Sequence, residues 1–136
     1  RYGAAAASPA AAVDPARLAT PGVLKVHLQK AVGLKPSDLN GLADPYVRVS
    51  LGRAEKRSRV MPRTLAPVWN EYLEFDGGTL GEVLRHGLHL TLHDRDHLSH
   101  DDDLGSVSVS LDELRGADAA EYQEELTKQG AVIFAV

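Results

Sequence analysis

From Gly22 onward the chain breaks into short runs of β-branched and apolar residues, each closed by glycine, proline or aspartate. That punctuation leaves too little uninterrupted sequence for long helices and favours strands joined by turns. Eight runs qualify, at 23–32, 46–51, 56–61, 69–75, 88–93, 105–111, 122–127 and 131–136. Val47, Val49 and Leu51 oppose Tyr46, Arg48 and Ser50, and Leu88, Leu90 and Leu92 oppose His89, Thr91 and His93. Such period-2 alternation gives each strand one face for a core and one for solvent. Short helical candidates occur only around 80–85 and 111–120, and no internal repeat is visible. The fold class expected is all-β: an eight-stranded antiparallel β-sandwich, two sheets packed face to face.

Residues 1–21 have a different texture, rich in alanine, interrupted by Pro9, Pro15 and Pro21, and without strand or heptad periodicity. They read as a linker, with one folded domain over 22–136. A chain of 136 residues, 43% hydrophobic, has the size and apolar content for a single core. Cysteine is absent, which excludes disulfides and thiolate metal sites and suits a reducing, cytoplasmic setting. The uncharged stretch from Ala4 to Val13 is too short and too weakly apolar to span a bilayer, so any membrane contact is expected to be peripheral or supplied by sequence outside this chain. A net charge of −4 speaks against nucleic acid as a partner.

The chemistry concentrates in two loops. The first joins the first two strands and carries Asp38 and Asp44, with Gly41 allowing a tight turn and Pro45 biasing Asp44 toward extended backbone. The second joins the fifth and sixth strands and carries Asp94, Asp96 and Asp102. Carboxylates gathered at one tip repel one another unless a cation is bound. Oxygen-only ligands on flexible loops are what calcium takes, whereas zinc favours histidine or cysteine. Three plainer readings compete: solvated turns, a zinc or pH role for His97 and His100, and a general acid–base dyad in Asp94 and Asp96. No nucleophile or substrate pocket accompanies the dyad, so an enzyme is not expected.

The runs Asp44-Pro-Tyr-Val, Thr64-Leu-Ala-Pro-Val-Trp-Asn-Glu, Asp94-Arg-Asp and Asp102-Asp-Leu-Gly closely resemble the C2 domain of protein kinase C and the synaptotagmins. The resemblance covers about 22–136 and implies a calcium- and phospholipid-binding sandwich. It implies Asp38, Asp44, Asp94, Asp96 and Asp102 as ligands, completed by the carbonyls of Ser37, Arg95 and His100 and the hydroxyl of Ser99. Asp101 and Asp103 are implied to be non-ligand neighbours, and Trp69, Asn70 and Glu71 to be structural. Arg95 stands where relatives often carry an aromatic residue, which puts that side chain's lipid contact in doubt. A start on the strand before the first acidic loop, with an extra strand at 131–136, resembles the circularly permuted (type II) order of phospholipases and extended-synaptotagmin tethers.

Arg57 and Arg59 lie on one face of the third strand, and Tyr46 and Arg48 on the outward face of the second. If the strands are neighbours about 4.8 Å apart, these side chains form one patch able to grip a phosphorylated head group, or simply a solvated basic strand. The aligned positions in protein kinase C form its phosphatidylinositol bisphosphate site, so the resemblance favours the first reading. It also implies that Leu39 and Leu98, at the loop tips, enter the bilayer. The function expected is calcium-dependent binding of anionic phospholipid, phosphatidylserine or phosphoinositide, by a peripheral module of a larger protein. A calcium-regulated protein-interaction module is the alternative.

Overall fold

The structure, a computed structural model, describes residues 14–36, 41–96 and 100–136. Its strands are β1 (Pro21–Val32), β2 (Pro45–Leu51), β3 (Ala54–Arg57), β4 (Val68–Thr79), β5 (Leu88–Asp94), β6 (Asp102–Val109), β7 (Glu121–Glu125) and β8 (Ala131–Ala135). They form two antiparallel four-stranded sheets, ordered β4-β1-β8-β7 and β3-β2-β5-β6. Val26, Leu28, Val132 and Phe134 of the first sheet and Val47, Val49, Leu88, Leu90 and Leu92 of the second form the core between them. Each such side chain contributes about 1.5–3 kcal/mol on burial. The expected fold class is therefore observed, and the alternation read in β2 and β5 is the burial pattern of those strands, the buried Tyr46 and half-buried Leu51 excepted.

Ordered structure precedes the expected domain boundary at Gly22. A one-turn helix, α1 (Pro15–Leu18), is capped by Asp14, and the Arg17 guanidinium donates to the Leu114 and Ala117 carbonyls at 3.0 and 3.1 Å. The helical candidate near residue 80 is α2 (Leu80–His86), opened by a capping box in which Thr79 and Glu82 exchange hydrogen bonds. Gly87 ends it at φ 66°, where a Cβ would lie 2.6 Å from the Val109 carbonyl. Only glycine fits there. The later candidate shrinks to a 3-10 turn at Asp112–Arg115.

Several strand boundaries also differ from the sequence reading: β4 runs on to Thr79, β7 ends at Glu125, and two further shifts, in β3 and β6, have a local cause. β3 ends at Arg57 instead of 61, because the Ser58 side chain turns inward, accepting the Val47 N–H and donating to the Arg59 carbonyl. The backbone then follows β2 irregularly, the Met61 N–H donating to Pro45 and the Thr64 N–H to Ala43. β6 begins at Asp102, three residues before the expected start, through a bulge that inserts Leu104 opposite β5. Among the described residues no helix is long and apolar enough to cross a membrane.

Candidate functional site

The acidic residues are positioned by strand register. Pro45 pairs with Asp94 across β2 and β5, and Asp94 pairs with Asp102 across β5 and β6. Asp44, Asp94 and Asp102 therefore stand at the ends of three adjacent strands, whose spacing is about 4.8 Å. Asp94 continues the inward row of Leu88, Leu90 and Leu92 and is only 6% exposed. A carboxylate so placed needs hydrogen-bond donors. Its Oδ1 accepts the Asp44 N–H at 2.7 Å. The Asp44 carbonyl accepts the Arg95 N–H at 2.9 Å, and its carboxylate accepts the Arg63 N–H at 2.6 Å. Two aspartates thus tie both acidic loops and the β3–β4 connection together.

Asp96 follows β5, and its N–H donates to Oδ1 of Asp101 at 2.9 Å. The other oxygen of Asp101 accepts the Tyr46 hydroxyl. These two hydrogen bonds, that of Asp96 foremost, hold the Asp101 carboxyl below the usual carboxylate range. Sequence reasoning assigns Asp101 no part, and nothing in its spacing singles it out. Asp103 is turned to structure, accepting the Gly105 N–H at 2.7 Å, while its carbonyl accepts the Lys128 ammonium at 3.0 Å. Arg95 and His100 are exposed at the rim. Ser37, Asp38, Leu39, Leu98 and Ser99 lie outside the described residues.

As placed, no three histidine or carboxylate side chains among the described residues converge to hold a metal ion. The donor chemistry still fits calcium, since Asp44, Asp94 and Asp102 offer hard oxygen ligands at one tip and no cysteine exists to favour a softer ion.

The basic patch forms in altered membership. Arg48 and Arg57 are direct cross-strand partners on β2 and β3, an arrangement that repels. Glu55, 3.2 Å from Arg48, offsets part of the repulsion. The Tyr46 ring offsets more, with Arg57 and Arg48 at 5.1 and 5.9 Å from its centroid. Tyr46, expected to project outward, is 1% exposed: the arginines cover it and His93 stacks on it at 5.4 Å. A ligand approaching this face meets guanidinium groups, and the ring is their floor. Burial, then the charge of Arg48, pushes the His93 imidazole below its ordinary value.

Arg59 is not part of the strand-face pair. It lies beyond β3, where its N–H and Nε both reach Glu71, at 2.9 and 3.2 Å, and its carbonyl accepts the Trp69 indole N–H at 3.0 Å. With Trp69 1% exposed, this is a clasp between the β3–β4 connection and the core. The structural reading of Trp69, Asn70 and Glu71 agrees with it, and Asn70 adds a 2.6 Å hydrogen bond to His27.

A two-sheet sandwich with acidic loops at one end defines a class of small binding domain, and comparison with known proteins gives the family. The C2 domain family model matches residues 22–127, and the chain belongs to that family. It is 40% identical over 91 residues to a C2 domain-containing protein of Arabidopsis thaliana, covering 67% of this chain and 12% of that protein. It is 37% identical over 93 residues to multiple C2 and transmembrane domain-containing protein 1 of Rattus norvegicus, covering 68% and 10%. The chain thus spans about a tenth of the length of these relatives. Among solved structures, the calcium-bound pair of C2 domains of extended synaptotagmin 2 aligns with TM-score 0.72 and 30% identity, over 85% of this chain and 45% of that one. A C2 domain of plant extended synaptotagmin 1 aligns with the same TM-score at 24% identity, over 85% and 93%, a likeness of fold. Calcium and lipid binding both fit this family.

Proposed function

We propose that this chain attaches a longer protein to anionic phospholipid membranes when calcium rises. The observation that carries the reading is the register that lines up Asp44, Asp94 and Asp102 on three neighbouring strand ends, with one of the three carboxylates buried. Asp38, Asp96 and the carbonyls and hydroxyl of Ser37, Arg95, Ser99 and His100 complete the ligand set. Calcium, when bound, supplies positive charge open to lipid oxygens. Five loop aspartates carry about −5; two ions bring the tip to about −1 and three to about +1. An end that repels an anionic leaflet becomes one that accepts it, and linkage requires lipid to raise calcium affinity in turn. Phosphatidylserine would meet the loop tip, with Leu39 and Leu98 entering the interface. A phosphoinositide would lie on Arg57 and Arg48, supported by the cross-strand placement of two like charges over one aromatic floor.

The domain acts without turnover, as a peripheral module of a longer protein. We also read the strand order as the permuted one, supported by β8 pairing beside β1 and by the acidic loop that follows β1 directly. A protein partner under the same calcium control is the second reading, favoured by Val23, Val68 and Tyr72, which are 57%, 58% and 62% exposed on β1 and β4. Co-sedimentation with protein-free liposomes separates the two. Calcium-dependent pelleting with phosphatidylserine and none with phosphatidylcholine is the expected result. Pelleting indifferent to calcium, or no pelleting at all, sinks the membrane reading.

A further inference from the structure

The residue that joins the acidic tip to the arginine pair is Asp101, which the ligand set leaves out. One of its carboxylate oxygens accepts the Asp96 N–H at 2.9 Å, and the other accepts the hydroxyl of Tyr46. The Tyr46 ring in turn lies under Arg57 and Arg48 and against His93, and it is 1% exposed. A continuous chain of contacts therefore runs from the backbone of a loop aspartate, through one carboxylate and one buried phenol, to two guanidinium groups on a strand face. Phenylalanine in place of Tyr46 would fill the same buried volume, so packing does not explain the hydroxyl. What the hydroxyl adds is its bond to Asp101 on one side and a hydrogen-bonding contact with the Arg48 side chain on the other.

We infer that Asp101 and Tyr46 are positioning residues that couple the calcium loop to the arginine pair, so that ordering of Asp96 by the metal presets Arg57 and Arg48 for a phosphorylated head group. The inference rests on the calcium reading given above. A side chain ordered before its ligand arrives no longer loses that freedom on binding, which raises affinity. Calcium also attracts an anion by charge alone, and that part does not pass through Tyr46. Comparing wild type with Tyr46→Phe, each with and without calcium, isolates the bridged part as a cycle.

Two measurements decide it. In the first, the whole chain is titrated with calcium chloride alone while the Asp96 amide and the Arg57 Nε–H are followed by NMR. Calcium should shift both signals in wild type, and the Asp96 signal alone in Tyr46→Phe. In the second, soluble inositol 1,4,5-trisphosphate is titrated calorimetrically with and without calcium. The gain in affinity on adding calcium should be about two- to tenfold smaller in Tyr46→Phe, the range that ordering one long side chain supplies. Asp101→Ala, which removes both hydrogen bonds, should reproduce the loss if the phenylalanine variant proves poorly folded. An Arg57 signal that moves equally in wild type and Tyr46→Phe overturns the coupling and leaves calcium binding standing. An Asp96 amide that ignores calcium overturns the calcium reading and this inference with it. A head group that binds in neither state overturns the role of the arginine pair as its receptor.

Discussion

Replacing Asp94 with asparagine is the sharpest perturbation of the acidic tip, because it changes charge while keeping shape. The asparagine could still accept the Asp44 N–H through its Oδ1, the bond that measures 2.7 Å in the native chain, and the buried position would stay filled. Without calcium the variant should melt within a few degrees of wild type. It should be a little more stable if anything, since removing one of several neighbouring like charges relieves on the order of 1 kcal/mol. With calcium the two should separate. A ligand at 100 times its dissociation constant stabilises the folded state by about 2.7 kcal/mol, and a domain of this size gains about 3–6 °C per kcal/mol. Wild type should therefore rise by about 10 °C and Asp94→Asn hardly at all. Differential scanning fluorimetry with calcium chloride, and with magnesium chloride as the ionic-strength control, reads this directly. Equal calcium shifts in the two proteins would refute the assignment of Asp94 as a ligand, and equal shifts with magnesium would reduce the effect to charge screening.

Arg57→Ala should weaken binding to phosphatidylinositol bisphosphate vesicles, with calcium affinity measured without lipid unchanged; retained vesicle binding would remove the arginine pair from the lipid site. Arg59→Ala should do the reverse, lowering the melting temperature through loss of the guanidinium bonds to Glu71 and to the Trp69 carbonyl while sparing head-group binding, and a vesicle assay beside a thermal melt tells them apart. Gly87→Ala should cost more than about 1 kcal/mol in urea unfolding, since a Cβ would meet the Val109 carbonyl at 2.6 Å; a midpoint like wild type would mean that the turn relaxes freely. Leu39→Ala with Leu98→Ala should speed dissociation from calcium-loaded vesicles and leave the salt-sensitive association rate alone, as stopped-flow measurements would register.

Much of the sandwich was legible because a half-buried strand writes its environment at every second residue. In β5 the row Leu88, Leu90, Leu92 is buried and His89, Thr91 and His93 are not, and the sequence states that directly. β3 was legible only in part. Lys56 to Met61 reads as a strand by composition, but whether a residue stays in the ladder depends on its side chain finding a better partner. Ser58 finds one in the Val47 N–H, and the regular pairing ends there. Tyr46 shows the same limit. Alternation places it correctly on the outer face of β2, yet the long arginines beside it close over the ring, and a long side chain's reach is invisible to a period-2 count.

The acidic tip was legible as a set of residue types and as a meeting of two loops, and what escaped was its register. Leu92 pairs with Gly105, so an unbroken ladder would set His93 against Leu104 and Asp94 against Asp103. The bulge shifts this by one, pairing His93 with Asp103 and Asp94 with Asp102. Of three consecutive aspartates, Asp101 to Asp103, the sequence reading takes Asp102 as the ligand and the other two as neighbours, and that single inserted residue is what gives each its task. Asp102 joins the buried Asp94 at the tip, Asp103 turns back to the Gly105 N–H, and Asp101 is left facing Asp96 and Tyr46. Gly105, at φ 115° with Leu126 and Lys128 packed close above it, is what permits the kink. Any larger residue there would strain the bulge on which the placement of all three aspartates depends.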